Sequence, residues 1–187
     1  MRKLFLLLSV FCCTVAFCNV DVKDRFSLKN WLFGETDARQ KEEDKALELS
    51  LCGKLCPSFA LYDTSGKLWT EQSIKGKITV LIIWHVYCQS CIKEIPVVNN
   101  MVKQHPEMNF FAMTINTDEQ VNKALTTKTS KVVHLTNALP FISKIGVVAT
   151  PTKLVLDKRG TIRYIIRGGE EKQQKILKKK LKELSKE

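Results

Sequence analysis

The stretch Ile78-Thr-Val-Leu-Ile-Ile-Trp84-His-Val-Tyr-Cys88-Gln-Ser-Cys91 decides how this chain folds. Its first half is almost continuously apolar and rich in β-branched residues, the pattern of a central strand covered on both faces. Beyond it the period changes. Ile92, Ile95, Val98 and Met101 recur at three-residue steps, so a helix is expected from about Cys88 to Gln104. The cysteines therefore stand where a buried strand gives way to a helix. Two cysteines three apart in a first helical turn lie on one side, close enough to bridge. Unpaired backbone N–H groups and the helix dipole stabilise a thiolate at the first of them. A thiolate is the attacking species in disulfide exchange. Cys88 is thus the expected nucleophile and Cys91 the resolving thiol. In a chain of seven cysteines the spacing alone is weak; its position carries the argument. The rival readings are a static disulfide or two metal ligands. A tetrahedral zinc site would want a second ligand pair, and only Cys52/Cys56 and scattered histidines are on offer.

Working outward, Phe59 and Leu61 lead into the turn Asp63-Thr-Ser-Gly66, and Lys67 to Thr70 returns, a hairpin before the central strand. After the first helix come a strand (Asn109 to Ile115), a helix capped at Thr117 or Asp118, and a short strand (Lys131 to Leu135). Lys153 to Leu156 and Ile162 to Ile166 flank the turn Asp157-Lys-Arg-Gly160, a second hairpin. A lysine-rich amphipathic helix closes the chain from Glu170 to Lys186. Strands alternating with helices imply an α/β protein with parallel pairs, and the late hairpin makes the sheet mixed.

The chain has 187 residues, enough for one domain plus extras. Its N-terminus reads differently from the rest. Arg2 and Lys3 precede an apolar run from Leu4 to Phe17, the layout of a secretory signal, with an uncleaved anchor or lipidation at Cys18 as the alternatives. Three domains are expected: a signal peptide or membrane anchor (1–18), an N-terminal extension (19–54) with a peripheral helix near Glu35 to Leu51, and the body (55–187). Export suits persistent disulfides. The formal net charge is +11, seven lysines crowd the closing helix, and export argues against nucleic acid as a partner. A solvated cationic helix face is favoured over attraction to an anionic membrane.

Trp84-His-Val-Tyr-Cys88-Gln-Ser-Cys91-Ile-Lys-Glu94-Ile-Pro96 resembles the active-site segment of the thioredoxin superfamily, and more narrowly its TlpA/ResA-like branch of exported oxidoreductases. Three more segments agree: Pro57 to Lys67 with that branch's opening hairpin, Ile74 to Ile78 with its lead into the central strand, and Ile145 to Gly160 with its cis-proline segment. The resemblance covers about residues 55 to 185. It implies a thioredoxin-like fold, a central mixed sheet flanked by helices, with the N-terminal helical extension added. It implies that Pro151 is a cis-proline facing the disulfide. Thr150, Trp84 and Tyr87 would contribute to substrate binding. Glu94 would be an acidic residue near Cys91, either a proton shuttle or a solvated helix glutamate. The chain departs from thioredoxin itself at Ile82, where thioredoxin has a buried aspartate, and at His85, Tyr87 and Ser90.

The expected function is thiol–disulfide exchange on cysteine-bearing exported proteins, in the periplasm or on the outer face of the membrane. The resemblance implies reduction, often in cytochrome c maturation, with a membrane-bound electron donor and no cofactor or metal. A copper-binding or partner-holding chaperone and a disulfide oxidase or isomerase are the alternatives. Cys52 and Cys56 form an auxiliary pair that the branch does not need. A local disulfide is favoured for them over an electron relay, metal binding or free thiols.

Overall fold

The computed structural model describes residues 38–126 and 129–187. The expected signal segment, 1–18, lies outside the described residues, as do 19–37 of the extension. The chain divides into two units after Lys41. Of the first, only residues 38–41 are described, and they are helical. All that follows concerns the second unit, Glu42–Glu187. No helix among the described residues is long and apolar enough to cross a membrane.

Strand β3 (Thr79–Trp84) is buried along its whole length, as its composition demands. It is the middle of a five-stranded sheet of order β5-β4-β3-β6-β7. The partners are β4 (Asn109–Thr114), parallel to β3, and β5 (Val133–Leu135), parallel to β4. On the other side β6 (Thr152–Leu156) runs antiparallel to β3, and β7 (Ile162–Arg167) antiparallel to β6. The sheet is therefore mixed. Strands β1 (Ala60–Tyr62) and β2 (Leu68–Thr70) form a separate hairpin, tied to the main sheet by a bridge between Asp63 and Leu135.

Alternation along β3 sends side chains to two cores. Leu81 and Ile83 enter one with Phe111, Leu154 and Leu156, covered by Phe141, Ile142 and Ile145 of helix α4 (Leu139–Ile145). Val80 and Ile82 enter the other, under Val98 and Met101 of α2 (Gln89–Gln104) and Leu177, Leu181 and Leu184 of α5 (Glu171–Leu184). Helix α3 (Asp118–Leu125) starts at a capping box, Thr117 with Gln120. The first helix, α1 (residues 42–51), is not peripheral. Leu47 and Leu51 share one helix face and pack into the first core, and Arg167 of β7 pairs with Asp44 at 2.8 Å. The closing helix docks its leucines on the sheet and leaves much of its lysine face to solvent.

Candidate active site

The turn after β3 is fixed by a side chain from the neighbouring strand's exit. Asn116, buried, accepts hydrogen bonds at Oδ1 from the Val86 backbone N–H (3.0 Å) and the Thr114 hydroxyl (2.9 Å). The His85 carbonyl accepts from the Cys88 N–H at 3.0 Å, closing the turn that delivers Cys88 to the start of α2.

Cys88 is the N-cap residue of α2 and is disulfide-bonded to Cys91, with Cα atoms 5.2 Å apart. Two donors converge on its sulfur: the Cys91 backbone N–H at 3.2 Å and, since a disulfide sulfur carries no proton, the Ser90 hydroxyl at 3.3 Å. Donors aimed at a sulfur at a helix N-terminus favour a negative charge there. Both cysteines are largely covered, 7% and 6% exposed, so depth does not tell them apart. Their surroundings do. Cys88 neighbours the exposed Tyr87, whereas Cys91 lines a small internal cavity of about 30 Å³ together with Glu94, Trp84, Pro151 and His134.

Glu94 is not a solvated helix glutamate. It is 2% exposed, and its Oε1 lies 2.5 Å from Nζ of Lys153, itself 1% exposed. The Lys153 ammonium donates to the carboxylate in a short, charge-assisted hydrogen bond. Lys153 Nζ also donates to the Gly168 carbonyl at 2.6 Å. Burial pushes the Glu94 carboxyl above its ordinary value, and the attraction of Lys153 offsets this only in part. Burial likewise pushes Lys153 down, against the pull of Glu94. A carboxyl so placed, one helical turn from Cys91, is suited to exchanging a proton with it.

The Thr150–Pro151 bond is cis, and Pro151 lines the cavity with Cys91. Gly169 closes this corner. A Cβ there would lie 3.1 Å from Pro151 Cγ, 3.2 Å from the Ser90 carbonyl and 3.3 Å from Glu94 Oε2, so only glycine fits without displacement. On the outer side, Thr150, Trp84 and His85 border a groove of about 310 Å³ lined with Ile115, Leu139 and Val148, three apolar residues that are at least half exposed.

Of the residues singled out from sequence, Cys88, Cys91, Glu94, Trp84 and Pro151 converge at one end of β3, with Thr150 beside the groove and Tyr87 exposed next to Cys88. Cys52 and Cys56 do not join them. Both are free thiols, so the favoured local disulfide is not formed. Cys56 sits in the core beneath the sheet, and burial pushes its thiol up to about 12. Among the described residues no group of three His, Cys, Asp or Glu side chains could hold a metal ion. Sequence reasoning missed Lys153 and His134. Lys153 carries one available signal, a lone charge at the head of an otherwise apolar strand. His134 carries none.

A Redoxin family model matches residues 52–181. The thiol-disulfide oxidoreductase ResA of Bacillus thuringiensis is 29% identical over 126 residues, covering 65% of this chain and 73% of that protein. The thiol:disulfide interchange protein DsbE of Vibrio cholerae is 28% identical over 136 residues, covering 66% and 68%. The solved structure of the exposed lipoprotein thioredoxin of Streptococcus pneumoniae superposes with a TM-score of 0.60 at 20% identity, covering 68% of this chain and all of that one. The thioredoxin-like fold and the ResA-like resemblance are both borne out.

Proposed function

The chain belongs to the Redoxin family and is a thiol–disulfide oxidoreductase, and from that premise we propose that it reduces disulfides in exported proteins, with Cys88 attacking and Cys91 resolving. The observation that carries the assignment of roles is the asymmetry around the disulfide. Donors gather on the Cys88 sulfur, while a buried carboxyl stands behind Cys91.

In the reduced protein the Cys88 thiolate attacks a substrate disulfide. One substrate sulfur leaves as a thiolate and the other joins Cys88 in a mixed disulfide. Cys91 then gives its proton to Glu94, and its sulfur attacks Cys88. The Cys88–Cys91 bond forms and the second substrate thiolate departs. Two electrons have passed from the protein to the substrate, so an external dithiol must restore the reduced pair. A membrane-bound donor suits a protein that works outside the cytosol. The apolar groove beside Thr150 would seat substrate residues flanking the target cysteine, with Trp84 at its margin and the exposed Tyr87 beside Cys88.

Reduction is the direction that the ResA-like resemblance implies, and cytochrome c maturation is the corresponding setting. The decisive measurement is the reduction potential of the Cys88/Cys91 couple, taken against glutathione buffers, with insulin reduction alongside. A potential near or below about −200 mV together with turnover of insulin fits a reductase. One near about −120 mV would mark a disulfide-forming enzyme and sink the reductase reading.

A further inference from the structure

The cavity behind Cys91 has a second end. Strand register sets Lys153, Ile82, Ala112 and His134 side by side across β6, β3, β4 and β5. At the β6 end the charge of Lys153 is answered by Glu94. At the β5 end, His134 is engaged on one side only. Its Nε2 lies 2.8 Å from the Ser130 hydroxyl, and its Nδ1 has no protein partner. Trp84 packs edge-on against the imidazole, centroids 5.2 Å apart, and its Nε1–H likewise has none. Glu94 takes the Lys153 ammonium at Oε1, and its carboxylate keeps lone pairs that can accept from a water. Trp84, His134 and Glu94 are all more than nine-tenths buried, and all line the same cavity.

Buried polar groups nearly always find hydrogen-bond partners, because leaving them bare forfeits the bonds they made in water. A space of about 30 Å³ takes one or two water molecules. One donor (the indole N–H), one acceptor (the carboxylate) and one imidazole nitrogen supply the partners an internal water needs. We propose that this cavity is a hydration site joining Trp84 and His134 to Glu94, and that His134, through its water, is a positioning residue for the proton Glu94 receives from Cys91. This rests on the reading of Glu94 as proton carrier. Burial keeps the imidazole neutral at physiological pH, with its pKa lowered to about 4, so it orients water without adding charge. The ionisable groups lining the same cavity are Cys91 and Glu94 from α2, while Lys153 stands against Glu94 with β3 and β4 between it and His134.

The test has two arms. In the oxidised wild-type protein, NMR should show a water-to-protein cross-peak at the Trp84 indole proton. The resolving step is then followed by rapid mixing of a Cys88 mixed disulfide across pH 5–9. His134→Phe should slow it about three- to tenfold and move its pH midpoint by about half a unit, because a hydrogen-bonding partner of the carboxyl is lost. His134→Gln should stay within about twofold, because an amide can hold the same water. Alkylation of Cys88 in the reduced protein should be unaltered in both. Absence of the cross-peak overturns the proposal. So does a His134→Phe protein with the wild-type pH profile. If that variant does not fold, the cross-peak and His134→Gln decide. If instead Glu94→Gln leaves the resolving step unchanged, the proton-carrier reading falls, while the cross-peak still reports on the hydration site.

Discussion

Replacing Lys153 by methionine removes the ammonium that pairs with Glu94 while keeping much of the volume and the apolar stem. The carboxyl is then buried without a partner, and it has two ways out. It can stay charged, or it can take a proton. Breaking a buried ion pair from one side costs about 3–5 kcal/mol. The second route can be worked directly. A glutamate that titrates near 4.3 in the unfolded chain and is held neutral in the fold at pH 7 costs about 1.36 kcal/mol for each of roughly 2.7 pH units, or about 4 kcal/mol. The two routes agree in size and differ in pH dependence. A carboxyl whose folded pKa is raised makes the folded state bind more protons than the unfolded state. Stability is then fully present below the unfolded pKa and is lost as pH rises toward the folded one. Lys153→Met should therefore match wild type most closely near pH 4.5 and fall away at up to about 1.4 kcal/mol per pH unit toward neutrality. The assay is urea unfolding of the oxidised protein at half-unit pH intervals, read by circular dichroism. The double variant Glu94→Leu/Lys153→Met should cost less than Lys153→Met alone at pH 7, since an apolar pair of similar volume needs no desolvation. A Lys153→Met protein within about 1 kcal/mol of wild type at pH 7 would refute the claim that the pair is buried and mutually dependent.

Other outcomes follow from the same geometry. Cys91→Ser should accumulate Cys88-linked mixed disulfides with substrate that mass spectrometry resolves, whereas Cys88→Ser should give neither adduct nor turnover. Gly169→Ala forces a methyl against Pro151, Ser90 and Glu94, and should destabilise by about 1–3 kcal/mol and slow insulin reduction, read by thermal melting and turbidity. Asp63 is buried, which alone would raise its pKa. The Ser65 and Lys67 donors and the Trp69 indole N–H instead hold it down to about 2. Its contribution, reduced by solvent screening, should be present above pH 4 and disappear as pH falls from 4 toward 2, and Asp63→Asn should flatten that part of the acid unfolding curve.

Much of the fold was legible because local pattern and tertiary role coincide. Ile78 to Trp84 is apolar at every position but Thr79, and the sheet buries all of β3; Thr117, Asp157 and Gly160 sit where caps and turns require them. The site was legible at Cys88 and Cys91 for the same reason: strand end, helix start and chemistry fall in one short segment. What escaped depends on residues distant in sequence. Glu94 could be solvated or buried until Lys153, 59 positions later, was seen beside it. Nothing in the neighbourhood of His134 separates it from a surface histidine, since only the register of β5 on β4 carries it to the cavity. Leu47 and Leu51 marked a helix face, yet not that the sheet lay under it. The free state of Cys52 and Cys56 was likewise hidden, because their spacing permits a bridge that the local backbone does not form.

An enzyme that trades disulfides must keep its own spare thiols out of the trade. Cys56 meets this requirement through proton affinity. Burial lifts its pKa to about 12, far above an ordinary thiol, so the attacking thiolate is scarce at pH 7 and exchange with a passing disulfide is suppressed before access is considered. The dithiol at the helix start and the thiol under the sheet thus belong to different kinetic worlds within one chain. Electrons entering the first need not leak into the second.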